Sequence, residues 1–390
     1  MARQPSHLER WLTRAFGDDE PTGVGSGWIA GTASVFLGVV SVLGALAFLF
    51  PGLFTTAEFR GRYPVAALRA LLEFTIGLTF LLGAASLMMR RRKVLGLSGM
   101  ALSLVALVAG GRRVAPTAEL DAPFTIGLDW FALNVLLTAV VFVPLERAFP
   151  LRVGQTTFRF GWATDAVHFL VSHLAVQTLS FLTLLPATTL ARVWQPDAVQ
   201  QVVGAVPLWG QFLAILLLPD LVQYWVHRAF HVVPALWRLH AVHHSSTAMD
   251  WLAGSRLHVF DVLVTRGLVL VPIFLLGFAT EALYAYLVFV SFHAVFIHAN
   301  VRFRFGWIDQ VIATPRGHHW HHAPAPVDKN FAVHLPVLDR IFGTQYLPGD
   351  AWPEEYGIHG DTVPEGYARQ LAYPFVVGAR TDGRTGVTDD

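Results

Sequence analysis

Long apolar runs alternate with short polar stretches along this chain, and a membrane-spanning helix needs about 20 mostly apolar residues. Residues 28–50 meet that requirement, as do 71–89, entered by Arg69 and Glu73 at a spacing that lets the two charges neutralise each other. Residues 94–110 are shorter but uncharged, and 130–143 stop at Pro144. Residues 166–185 span despite His168 and His173, and 202–226 carry Asp220 near their end. Residues 259–278 and 279–296 read as an apolar hairpin with almost no loop. The pattern predicts an all-α, polytopic membrane bundle of about eight spans, the short ones equally compatible with re-entrant helices. The first span follows 27 residues and shows no small-residue cleavage site, so it reads as an anchor.

Composition sharpens this picture. Charged residues make up 14% of the 390 and hydrophobic residues 54%, with a mean hydropathy of +0.50. Soluble proteins carry roughly 25% charged residues, so a soluble chain of this kind could not cover its apolar surface. The net charge of +1 offers no basic stripe for nucleic acid. Without cysteine there are no disulfides, no cysteine-ligated iron–sulfur clusters and no thiol nucleophile. Only Lys93 and Lys329 are lysines among 28 basic residues, a bias that hints at a GC-rich bacterial genome. With the N-terminus inside, and the long tail from Arg302 set aside, 13 Lys/Arg fall inside and 6 outside, as the positive-inside rule asks. The expected location is therefore a bacterial inner membrane. Residues 110–126 look like a linker, giving a three-span unit at 1–127, a second domain at 128–350 and a polar tail at 351–390, disordered from 378.

Chemistry enters with histidine. Thirteen of the 17 histidines fall between His227 and His334. His227 and His231 stand at i,i+4; His240, His243 and His244 at i,i+3,i+4; and His318, His321 and His322 repeat that pattern. Residues three and four apart share a helix face, so each box aims its imidazoles at one point. His298 adds a ninth candidate. One transition ion takes about four to six ligands, so this number suits two ions, and imidazole suits iron, zinc, copper or nickel. In the orientation above, all the boxes and His298 meet at the inner face as a histidine-rich helical cap. His319 points off the shared face. His168 and His173 read as hydrogen-bonded packing residues, and His334 and His359 as loop residues. His258 and His293 stay open. Asp220, two turns before His227, and Tyr224 on a similar face are candidate supports for the imidazoles. Asp328 and Asn330 either fix imidazoles or make the turn after Pro326.

These boxes resemble the fatty acid hydroxylase/sterol desaturase superfamily. Asp220, Arg256, His298-Ala299-Asn300, Thr314-Pro315, Asp328-Lys329-Asn330-Phe331 and Leu338 to Thr344 agree with that resemblance, as does the entry segment Thr164 to His168. It covers about 128–348 and leaves 1–127 outside. The resemblance implies a non-haem di-iron site that uses dioxygen to hydroxylate, or desaturate, a C–H bond of a membrane lipid. It implies the ligand set His227, His231, His240, His243, His244, His298, His318, His321 and His322, with Asp220, Tyr224 and Asn300 as the catalytic candidates beside it. No nucleotide fingerprint is present, so an external ferredoxin- or cytochrome-type electron donor is implied. Arg228, Arg238, Arg302, Arg304 and Arg316 are candidates to attract it. Trp237, Trp251 and Trp320 either cap an apolar substrate channel or belong to an interfacial belt. A zinc or nickel transporter is the rival reading, and it asks for paired ionisable groups at the bilayer midplane. A zinc hydrolase lacks its His-Glu-x-x-His motif here.

Overall fold

The computed structural model describes residues 22–55, 64–110, 126–194, 197–359 and 363–376. The described residues are helical, with no strand among them beyond an isolated bridge between Pro150 and Val301. The chain divides into two compact units, Met1–Ala139 and Val140–Asp390. Most of the linker expected at 110–126 and the tail from 378 lie outside the described residues.

In the first unit α1 (Trp28–Leu49), α2 (Val65–Met89) and α3 (Val94–Ala109) pack on one another. Small residues let the backbones approach, as helix packing in lipid favours. Gly99 sits against Ser34, and Gly83 and Gly96 face each other so closely that a Cβ on either would meet the other's carbonyl oxygen at 2.9 or 2.6 Å. Ser34 Oγ donates to Thr79 O at 2.7 Å and Ser103 Oγ to Ile76 O at 3.0 Å, both across helix boundaries.

α4 (Leu128–Ala148) follows, and the division between units falls within it. It runs through Pro144, where the sequence predicted a stop. Tertiary bonds hold the extra turn: the Glu146 carboxylate accepts the backbone N–H groups of Trp251 (2.7 Å) and Asn300 (3.0 Å). The span expected at 166–185 is two helices, α5 (Trp162–Thr178) and α6 (Ser180–Val193), parted at Leu179, which is non-helical. The flanking Thr178 and Ser180 are weak helix formers. The span expected at 202–226 also divides, into α7 (Asp197–Ala205) and α8 (Leu208–Val232), because Pro207 cannot continue a helix from its predecessor. Three further helices complete the frame of the site: α9 (Pro234–His244), α10 (Val259–Leu276) and α11 (Thr280–Phe296). α8 packs on α9, α10 and α11, and α10 on α6.

Four of these helices, α1, α2, α4 and α10, are long and apolar enough to cross a membrane. That marks a membrane protein. Two short helices, α12 (Pro315–His321) and α13 (Val337–Ile341), follow, and α14 (Tyr367–Val376) packs on α9 through Tyr373, with Val363, Ala241 and Val242 in the same cluster. Within the stretch expected as a polar tail, Val363, Gln370, Tyr373 and Pro374 are thus buried in the second unit.

Candidate metal centre

Local sequence sets the register of each histidine box. α8 ends on His227 and His231, one turn apart. Val233 is extended, and Pro234 opens α9 at its first position, where its missing N–H costs nothing. α9 then closes on His240, His243 and His244. Pro315 opens α12 in the same way, placing His318 and His321 in its last turn and His322 at its C-cap. His298 follows the end of α11.

These elements bring the nine imidazoles into two groups. His227, His231, His240, His244 and His321 form one; His243, His298, His318 and His322 form the other. Within each group the ligating atoms lie within 4.8 Å of one another, and all nine residues are buried. The groups adjoin, with ring centroids of His244 and His322 4.5 Å apart.

The hydrogen bonds decide the chemistry of the donor set. His227 Nδ1 lies 2.7 Å from Phe331 O, His243 Nδ1 3.2 Å from Arg256 O, His298 Nδ1 2.7 Å from Ala294 O and His321 Nδ1 2.8 Å from Lys329 O. His240 Nδ1 lies 2.7 Å from the Asp261 carboxylate. A carbonyl or carboxylate only accepts, so each of these Nδ1 atoms carries the proton and each Nε2 carries a lone pair. Yet His227 Nε2 and His240 Nε2 are 3.0 Å apart, and His298 Nε2 and His243 Nε2 3.4 Å apart. Lone pairs converging at such distances repel unless a cation accepts them. His244 Nε2 and His321 Nε2 are also buried without a hydrogen-bond partner. Burial pushes His243, His244, His318, His321 and His322 well below the usual imidazole range, and neighbouring imidazoles push the same way. Burial holds His298 at about 4. Neutral, inward-facing imidazoles are the ligand form a transition metal requires, so the residues present fit two ions.

Comparison with known proteins agrees. The model of the family described as fatty acid hydroxylase matches residues 212–344. Residues 212–344 are thus similar to a fatty acid hydroxylase domain. It is 29% identical over 259 residues to the ornithine lipid hydroxylase OlsE of Rhizobium tropici, covering 64% of this chain and 76% of that protein. It is 32% identical to the human alkylglycerol monooxygenase over 139 residues, 35% of this chain and 30% of the relative. The zebrafish alkylglycerol monooxygenase is 31% identical over 175 residues, 43% and 37% of the two chains. The chain therefore spans about a third of the alkylglycerol monooxygenases that it matches. No solved structure matches it.

Around the imidazoles, the fold places the other expected residues in supporting positions. Asp220, fully buried, does not reach His227; its carboxylate accepts the backbone N–H groups of His334 (3.2 Å) and Leu335 (2.8 Å). Tyr224 stacks on Phe342, and its hydroxyl meets Thr344 Oγ1 at 2.8 Å. Asn300 Oδ1 accepts the Arg152 backbone N–H at 2.8 Å. Asp328 and Asn330 both adopt positive φ, 59° and 54°. Asp328 also lies 3.5 Å from His231 Nδ1, and Asn330 binds the carbonyls of Gly317 and Tyr346. They make the turn and brace the site at once.

Of the histidines left open or set aside, none joins either group. His258 caps α10 by accepting the Phe260 N–H. His334, expected as a loop residue, is buried with its Nδ1 2.9 Å from His293 Nδ1, because Asp220 draws its backbone inward. His319 lies 2.8 Å from the Tyr356 hydroxyl, and His168 lies between Leu257 O and Gln370 Oε1. Trp237 packs on His231 and His244, whereas Trp320 packs on Tyr346 and Trp251 on Phe169. Arg316 is buried against Asp309, so it is no surface cation for a docking partner.

Sequence reasoning missed two supports. One is Asp261, on α10. The other is a buried network in which Arg159 binds Asp165 and Asp250 at 2.7 Å, and Arg256, whose carbonyl holds His243, binds Asp165. An acid in an apolar helix was the available signal for Asp261.

Proposed function

We propose that the protein is a membrane di-iron oxygenase that uses dioxygen to hydroxylate a C–H bond of a membrane lipid, in preference to desaturating it. The observation that carries this reading is the pair of buried groups, five and four imidazoles, with their lone pairs turned inward. An unactivated C–H bond resists acid–base attack, and bound iron supplies the dioxygen and one-electron chemistry that it requires. The nine histidines hold the ions, Asp261 and four backbone carbonyls hold the rings, and Asp220, Tyr224 and Asn300 hold the segments that carry them. The names of the relatives support a lipid substrate, and the apolar helices support delivery of that substrate from the bilayer.

In this reading about eight helices span or enter a bacterial inner membrane, with the N-terminus and the histidine cap on the cytoplasmic side. Residues 128–350 hold the catalytic domain, and 1–127 form an accessory membrane unit. Electrons come from a separate ferredoxin- or cytochrome-type carrier that docks at the cytoplasmic face. A zinc hydrolase would need a carboxylate base among the ligands, and both groups consist of histidine alone.

Metal analysis of the purified chain, with lipid profiling of a strain lacking it, tests the reading. Two irons per chain and the loss of one hydroxylated lipid class are expected. His243→Ala is expected to lower bound iron and abolish restoration of that lipid while the protein still inserts. Full restoration with normal iron would overturn the assignment.

A further inference from the structure

The four-imidazole group has an unexplained feature on its outer side. A cavity of about 20 Å³ lies between the turn at Gly306–Gln310, the start of α12 and the segment after Asp328, and His318 lines it. That is room for about one water molecule, which needs two to four polar partners. Its polar side chains fall into two kinds. Asn330, Asp339 and Gln345 are satisfied by protein: Asn330 by Gly317 and Tyr346, Asp339 by the N–H groups of Phe331 and Ala332, Gln345 by Gln310. The other three are Asp309, Thr314 and His318, exposed by 4%, 3% and 4%. Each of them keeps one buried atom without a hydrogen-bond partner: Asp309 Oδ1, Thr314 Oγ1 and His318 Nδ1.

Each orphan belongs to a residue of the cavity wall and has a local reason to be left unpaired. Asp309 gives its other oxygen to Arg316, whose Nη2 donates at 2.7 Å. Thr314 occupies the residue before α12, where a threonine usually accepts a backbone N–H, yet its hydroxyl makes no such bond. His318 turns Nε2 toward His298 and His322, at 2.9 and 3.2 Å, which commits that nitrogen to the metal group and leaves Nδ1 as the donor on the other edge. A donor, an acceptor and a hydroxyl that serves as either are the partners that one water satisfies together.

We propose that this cavity is a water site, and that its water ties His318 Nδ1 to the Asp309 carboxylate with Thr314 as the third partner. The inference rests on the metal-centre reading and extends it: Asp309 and Thr314 are positioning residues for one ligand of the four-imidazole ion. The bridge does for His318 what the Asp261 carboxylate does directly for His240, fixing its tautomer and ring orientation.

Stepwise titration of the metal-free full-length protein with Zn²⁺ against a competing chelator tests this. The parent is expected to bind two ions. Thr314→Val, which deletes the hydroxyl at nearly constant volume and leaves the Arg316–Asp309 pair intact, is expected to weaken one of the two by about 10- to 100-fold while the other stays unchanged. Thr314→Ser is expected to restore parental binding. Thr314→Ala supplies a second variant should valine fail to yield folded protein; it too leaves the Arg316–Asp309 pair intact, and the same selective loss is expected. A general structural defect would lower both affinities together, and that result overturns the proposal. Both affinities within about twofold of the parent in Thr314→Val also overturn it but leave the metal centre standing, whereas a parent that binds no ion overturns the metal centre as well.

Discussion

At the scale of single residues, the site is defined by what holds the far side of each ring. Five imidazoles have Nδ1 tied to a carbonyl or carboxylate, and His240 alone among these five uses a carboxylate, that of Asp261. Asp261→Leu is expected to weaken metal binding by about 10- to 100-fold, because His240 loses the partner that fixes its tautomer; Asp261→Asn, which retains an acceptor, is expected to lose less. Chelator competition distinguishes them, and equal affinity in the leucine variant would remove Asp261 from the site. The buried charge network behaves differently. Removing Asp165 leaves Arg159 and Arg256 short of a buried counter-charge, and breaking such a pair costs about 3–5 kcal/mol. Asp165→Ala should therefore show as a lower thermal unfolding midpoint rather than as a selective loss of one ion. The nine ligand histidines were legible because helical spacing places them on shared faces. Their partners were not. Asp261 lies 21 positions from His240, and no periodicity links the two; Asp220 lies at the helical spacing expected of a partner for His227, but bonds elsewhere.

At the scale of elements, short signals outweighed long ones. Pro234 and Pro315 each open a helix and so fix where its histidines fall, a fact readable from sequence. Hydropathy located the apolar segments but not their breaks, because an average over a window is insensitive to one residue such as Leu179 or Pro207. Pro144 shows the converse: the local rule predicted a stop, and two backbone bonds to Glu146 overrode it. The first three helices depend on close approach. Gly99 faces Ser34 so tightly that no side chain fits, so Gly99→Leu is expected to push α1 and α3 apart at a cost of about 1–3 kcal/mol, with Gly99→Ala costing less. Unfolding of the two variants in detergent measures this, and a leucine variant as stable as the parent would mean that the helices do not pack in this way.

At the scale of the whole molecule, burial of so many neutral imidazoles links stability to pH. Burial pushes His243, His244, His318, His321, His322 and the non-ligand His334 well below the ordinary value of 6.5. Below that value the unfolded chain binds protons that the folded chain does not, so stability falls as pH drops. Protons also compete with metal for the same nitrogens. Thermal unfolding after chelation is expected to occur at lower temperature at about pH 5 than at about pH 7, and bound metal to be lost over the same interval. The division of the chain leads to a sharper test. Every imidazole of the two groups lies beyond α4, and so do Arg256, Asp261, Ala294, Lys329 and Phe331, which hold five of them through Nδ1, and Asp328 beside His231. α4 itself supplies Glu146, which holds the backbone at Trp251 and Asn300, so a truncation must keep that helix whole. Deleting residues 1–116 removes α1 to α3 and leaves α4 intact. If those three helices form an accessory unit, the shortened chain is expected to insert and retain the full-length metal content per chain. Metal analysis of both purified forms decides it: retained metal separates the accessory helices from the centre, and its loss would make them part of what holds the ions.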